Sequence, residues 1–73
     1  MFLYFENSYG NKKLINNSIE NKEDALNYIH KWLHENHPNF IVHYVRSWGI
    51  EPVTFDVGSH TEFFLLYKEE IKE

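Results

Sequence analysis

The sequence predicts an α+β domain: a single antiparallel β-sheet with one helix packed on one face, in the order ββαβββ. Three observations carry this. Only one stretch, residues 22–36, repeats its apolar residues at three- and four-residue spacing, the period of a helix. Aromatic and β-branched runs lie on both sides of it, two before and three after. Short turn-forming segments separate them, so the runs read as strands of one sheet that the helix crosses.

The first strand is residues 1–6, MFLYFE. Asn7-Ser8-Tyr9-Gly10-Asn11 is turn chemistry, with Gly10 and Asn11 able to take positive φ. Residues 12–17, KKLINN, form the second strand, and 1–17 is expected to be a hairpin. Asn21 is placed to cap the helix by accepting from the amide of Asp24, a variant of the capping box. Glu23 and Asp24 suit the positive end of the helix dipole. Ala25, Leu26, Ile29, Trp32 and Leu33 then make one apolar face, broadened by Tyr28, with Leu26, Ile29 and Leu33 expected at its buried centre. Pro38 ends the helix because it pushes His37 out of the α region.

Residues 40–48, FIVHYVRSW, predict a long third strand, and Gly49-Ile50-Glu51-Pro52 a turn. Val53–Val57 is the fourth strand and Glu62–Tyr67 the fifth, joined by Gly58-Ser59-His60-Thr61. The charged tail is expected to fray over residues 69–73. At 73 residues there is room for one domain only. A core this small supplies about 3–5 kcal/mol, and the 18% aromatic content fits dense burial of large side chains. Self-association is the second route to stability.

Composition narrows the function classes. With no cysteine there is no disulfide and no thiolate metal site, which agrees with a reducing compartment. MFLYFE has neither the basic region nor the apolar run of a secretory leader, and no run approaches the ~20 apolar residues of a membrane span. The expected location is therefore the cytoplasm, with no membrane partner. Seven basic residues are scattered among eleven acidic ones, for a net charge of −4. That argues against direct nucleic-acid binding, which needs clustered Lys and Arg. It suits a partner that is itself basic, such as a nucleic-acid-binding protein.

Three clusters are candidates for chemistry. Asp56, Ser59 and His60 invite a Ser-His-Asp reading, but adjacent residues of an extended segment diverge, and no G-x-S-x-G elbow is present. A turn explains Gly58 and Ser59 better, so no catalytic residue is assigned and no enzymatic activity is expected. His30, His34 and His37 invite a metal reading. Residue 31 is Lys rather than the Glu of H-E-x-x-H, and His34 lies off the apolar face, so a solvated helix surface is preferred and neither a metal nor a cofactor is assigned. Tyr44, Arg46 and Trp48 alternate along one strand face, the residue types that dominate interface hot spots. Ordinary cross-strand packing competes evenly with that reading.

Phe63-Phe64-Leu65-Leu66-Tyr67 is apolar on both strand faces, yet one helix covers only one face of a sheet. Part of the run should therefore meet a partner or a second copy. The candidate partner-binding residues are Tyr44, Arg46, Trp48, Ser59, His60, Phe63 and Phe64.

The segment Asp56-Val57-Gly58-Ser59-His60-Thr61-Glu62-Phe63-Phe64 resembles one found in small proteins of phages and prophages of low-GC Gram-positive bacteria. There an aspartate, an aromatic residue, Gly-Ser, His or Trp, and Thr precede a last Phe-rich strand. Val57 replaces the aromatic residue, and Tyr44-Val45-Arg46-Ser47-Trp48 looks like the matching upstream strand. The likeness covers the C-terminal half and carries no catalytic residue. It implies a phage-encoded accessory protein in the host cell that binds and modulates a host protein, for instance a defence nuclease such as a CRISPR effector. A small structural or replication-associated phage protein acting as a homo-oligomer is the alternative.

Overall fold

The computed structural model of the chain describes residues 1–42, 44–59 and 61–71. Five strands and one helix follow the expected order: β1 (Phe2–Glu6), β2 (Lys12–Asn16), α1 (Lys22–Asn36), β3 (Arg46–Trp48), β4 (Val53–Asp56) and β5 (Phe63–Tyr67). The strands form one antiparallel sheet in the order β2-β1-β5-β4-β3. The architecture is α+β, with α1 across one face.

The hairpin closes through Asn7. Its side-chain oxygen accepts from the amides of Tyr9 and Asn11, and Gly10 takes φ +82°. Between Leu3 and Tyr4 the register slips, which leaves Ile15 as the extra residue of a bulge in β2. Ile15 packs against the core, and its carbonyl accepts from the Tyr28 hydroxyl at 3.1 Å. Met1 and Ile19 exchange two main-chain bonds, which lays the β2–α1 connection along β1.

Asn21 caps α1 as its residue type predicts. Its side chain accepts from the Asp24 amide at 2.8 Å, and Asp24 reaches back to the amide of Glu20 at 3.0 Å. At the other end the His37 amide donates to the Leu33 carbonyl, and Pro38 follows. Ala25, Ile29 and Leu33 are buried, whereas Leu26 is half-buried on the flank instead of central. Trp32 stacks near Phe5 and meets Phe64 edge-on.

Register sorts the strands into two faces. Leu3 opposes Leu66, and Phe5 and Phe55 both oppose Phe64; these residues face α1 and form the core. Their neighbours face the other way: Tyr4 opposes Leu14 and Leu65, Leu65 opposes Thr54, and Thr54 opposes Trp48. No helix among the described residues covers this second, open face.

A further expectation needs correction. The third strand was expected over residues 40–48, but the ladder holds only Arg46–Trp48. A ladder reaches only as far as its partner. β4 ends at Asp56, whose carboxylate accepts from the Gly58 amide at 2.9 Å and turns the chain away. Phe40, Val42 and Val45 pack against the core instead of pairing. The tail, expected to fray over residues 69–73, makes hydrogen bonds as far as Ile71. The Lys68 amide donates to the Glu51 carboxylate at 2.9 Å, and the Ile71 amide donates to the Tyr4 hydroxyl at 3.0 Å. Residues 72 and 73 lie outside the described part of the chain.

Candidate interaction surface

Alternation along each strand places Tyr4, Phe63, Leu65, Tyr67, Thr54, Asp56, Arg46 and Trp48 on the open face. Its middle is closed by its own side chains. Leu65 is 6% exposed, and Tyr67 meets Tyr4 edge-on at 5.5 Å. The tail lies over the Tyr4 end. Between Ile71, Glu70 and the β1–β2 turn it leaves a cleft of about 360 Å³, lined also by Tyr4, Leu14 and Lys12.

The β3 end of the face is more open. Trp48 is 49% exposed, and its ring meets Phe63 at 6.2 Å in a T-shaped contact spanning β4. The Arg46 guanidinium sits 5.1 Å from the centre of the exposed Tyr44 ring and donates to the Asp56 carboxylate at 2.8 Å. The hydrogen bond to Asp56, and then the charge interaction with Tyr44, hold the guanidinium above the ordinary arginine range. Asp56 is buried while Arg46 is mostly in solvent. A carboxylate removed from water keeps its charge only with donors this close, so the pair locks β3 to β4 and aims Arg46 under Tyr44.

The sequence-predicted residues therefore divide. Tyr44, Arg46, Trp48 and Phe63 come together on one surface. Phe64 does not: it is 1% exposed and faces α1, because its register partners Phe5 and Phe55 point into the core. It is a core residue, and the open-face position belongs to Phe63. Ser59 lies elsewhere, donating from its hydroxyl to Glu62 at 3.2 Å. It borders a small pocket of about 40 Å³ with His37, Phe40 and Val57. His60 is outside the described residues.

Local hydrogen bonds hold Asp56, Gly58, Ser59 and Glu62. Asp56 accepts from Gly58, which takes φ +98°, and Ser59 braces Glu62. Both side chains are thus engaged in shaping the β4–β5 connection. His30 and His34 are exposed on α1, and among the described residues no group of three or more His, Cys, Asp or Glu side chains is arranged to hold a metal ion.

Sequence reasoning passed over Ile41 and Ile50, which are exposed on either side of Tyr44 and Trp48. The signal was present. Ile50 sits in a Gly-Ile-Glu-Pro turn, where a large apolar side chain has no core to enter. The apolar run of the last strand left two sets for the open face, Phe63, Leu65 and Tyr67 or Phe64 and Leu66, and the register places the first set there.

Compared with known proteins, the chain matches no family model, no curated protein and no solved structure. No helix among the described residues is long and apolar enough to cross a membrane.

Proposed function

We propose that this chain is a non-enzymatic interaction protein, phage-encoded, that binds and modulates a host protein through the β3 end of its open sheet face. One observation carries the reading. Of the five exposed large hydrophobic residues described, all but Tyr9 fall within residues 41–50 of the sequence, and two of them make the Trp48–Phe63 and Tyr44–Arg46 contacts. Exposed aromatic rings beside a fixed guanidinium are the side chains that anchor protein interfaces, because they bury much area at low entropic cost. Exposed large apolar side chains gathered in one part of a surface mark a partner site more often than a free surface.

The net charge of −4 supports a basic partner, since opposite charge speeds encounter. A nucleic-acid-binding host protein has that character, and a defence nuclease such as a CRISPR effector is the specific form suggested by the resemblance of the 56–64 segment to phage proteins. The reading is tested with immobilised wild-type chain and its Phe63→Lys variant in lysate of a low-GC Gram-positive host. A specific polypeptide retained by the wild type and lost with the folded variant supports it. Equal retention by both excludes the open face as the site.

A further inference from the structure

Residues 68–71, beyond β5, belong to no strand or helix. Among the described residues, two of their main-chain amides hold them down. Lys68 donates to the exposed Glu51 carboxylate at 2.9 Å, and Ile71 donates to the Tyr4 hydroxyl at 3.0 Å. Lys68, Glu69 and Glu70 are exposed, and Ile71, the only apolar residue after Tyr67, is half-buried. The cleft of about 360 Å³ stays open between Glu70, Ile71 and the β1–β2 turn, so the tail rests on the sheet without the close packing of an interior. The surface beneath is apolar. Tyr4 and Leu14 line the cleft and are cross-strand partners. Tyr4 also opposes Leu65 and meets Tyr67 edge-on, and Phe63 lies two residues before Leu65 on the same strand face. The patch under the tail is therefore continuous in register with the Phe63–Trp48 contact.

We propose that this tail is a releasable strap. Closed, it masks Tyr4 and Leu14; lifted, it adds them to the open face as binding surface. The two bonds set how firmly it closes. One hydrogen bond shifts an equilibrium by a net factor of roughly 2–12, so two hold the strap by at most about 100-fold. Half-burial of Ile71 adds to this, and the entropy of ordering four residues subtracts more. The ladders of β1 and β5 are different, because each strand is paired on both sides and opens only with the sheet. A partner with an apolar surface therefore displaces the tail once its preference for the lifted form exceeds that modest factor. Regulation of the open face rests on the binding reading above, whereas the strap itself does not.

Both parts are tested on the full chain. In amide exchange followed by NMR, the Lys68 and Ile71 amides should be protected by no more than about 100-fold, at least about tenfold less than the ladder amides of β1 and β5. Ile71→Asn removes the tail's one apolar hold. It should raise the fluorescence of added anilinonaphthalene sulfonate, an apolar probe, by about threefold or more, while far-UV circular dichroism stays that of the wild type. Tail amides as protected as the ladder, or an Ile71→Asn chain that binds the dye no better than the wild type, overturn the strap. The exchange measurement uses the wild type, so it decides even if the variant does not fold. Regulation is read separately, by capture from host lysate at limiting amounts of chain. A polypeptide that Phe63→Lys loses should be retained about threefold more by Ile71→Asn than by the wild type. Equal retention by those two overturns the regulation. A polypeptide that Phe63→Lys still retains counts instead against the binding reading, and the strap is then decided by exchange and dye.

Discussion

Replacing Ile29 with alanine tests how the helix is held to the sheet. Ile29 is 0% exposed and sits at the middle of the core, among residues of α1, β1, β4 and β5. The substitution deletes three carbons. At about 0.8 kcal/mol for each buried carbon, the lost transfer energy is about 2.4 kcal/mol. Leu3, Phe55, Phe64 and Leu66, the strand residues of that core, are fixed by the ladders of β1, β4 and β5, so the site cannot collapse fully. The remaining cavity raises the cost to about 3–4 kcal/mol. A domain of this size has only about 3–5 kcal/mol in hand, so the variant should be near its unfolding midpoint without denaturant at 25 °C. Leu26→Ala is the internal control: Leu26 is half-buried on the flank, and its loss should cost about 1 kcal/mol. Urea denaturation followed by circular dichroism measures both. If Ile29→Ala unfolds at the wild-type urea concentration, or Leu26→Ala costs as much as Ile29→Ala, the assignment of the buried face is wrong.

Three further outcomes follow from local geometry. Gly49→Ala should destabilise the domain by about 1–3 kcal/mol, because Gly49 has φ +85° and an added Cβ would meet the Pro52 carbonyl oxygen at 2.6 Å; thermal melting checks it. Ser59→Ala removes one partly buried bond to Glu62 and should cost within about 1 kcal/mol, with no hydrolytic activity on esters or phosphodiesters present to be lost. A wild-type hydrolase activity abolished by Ser59→Ala would show that the loop is catalytic. Tyr4→Phe deprives the Ile71 amide of its acceptor and should release the tail, at a cost of about 0.5–1.5 kcal/mol and with faster proteolysis beyond Tyr67, read by mass spectrometry.

The bounds and cap of the helix were legible because their signals are local, although Leu26, expected at the centre of its buried face, lies on the flank. Asn21 with Asp24, the apolar spacing through Leu33, and Pro38 each act within a turn or two of the chain. Strand existence was legible for the same reason, but strand length was not. Residues 40–48 have strand composition throughout, and the ladder stops at Arg46 because β4 stops at Asp56, a limit set by another segment. The parity of the last strand was similarly out of reach. Phe63 and Phe64 are equivalent in sequence, and only pairing with Phe5 and Phe55 sends Phe64 inward. The docked tail depends on a bond between residues 67 positions apart, for which a charged C-terminal run gives no cue. Of the candidate surface, Tyr44, Arg46 and Trp48 were readable from their alternation. Their coupling to Asp56 and Phe63 was visible only once the register was known.

The most direct test of the interaction reading is quantitative capture from host lysate by wild-type chain, by Phe63→Lys and by Trp48→Ala, each first shown to be folded by circular dichroism. Trp48 and Phe63 form one contact at the open end of the face, so either substitution should remove the same polypeptide from the eluate. Raising the salt from 0.05 to 0.5 M should weaken wild-type capture as well, since steering by an acidic protein is screened. Retention of that polypeptide by both variants at wild-type levels, with no dependence on salt, would contradict the assignment of this face as the functional surface.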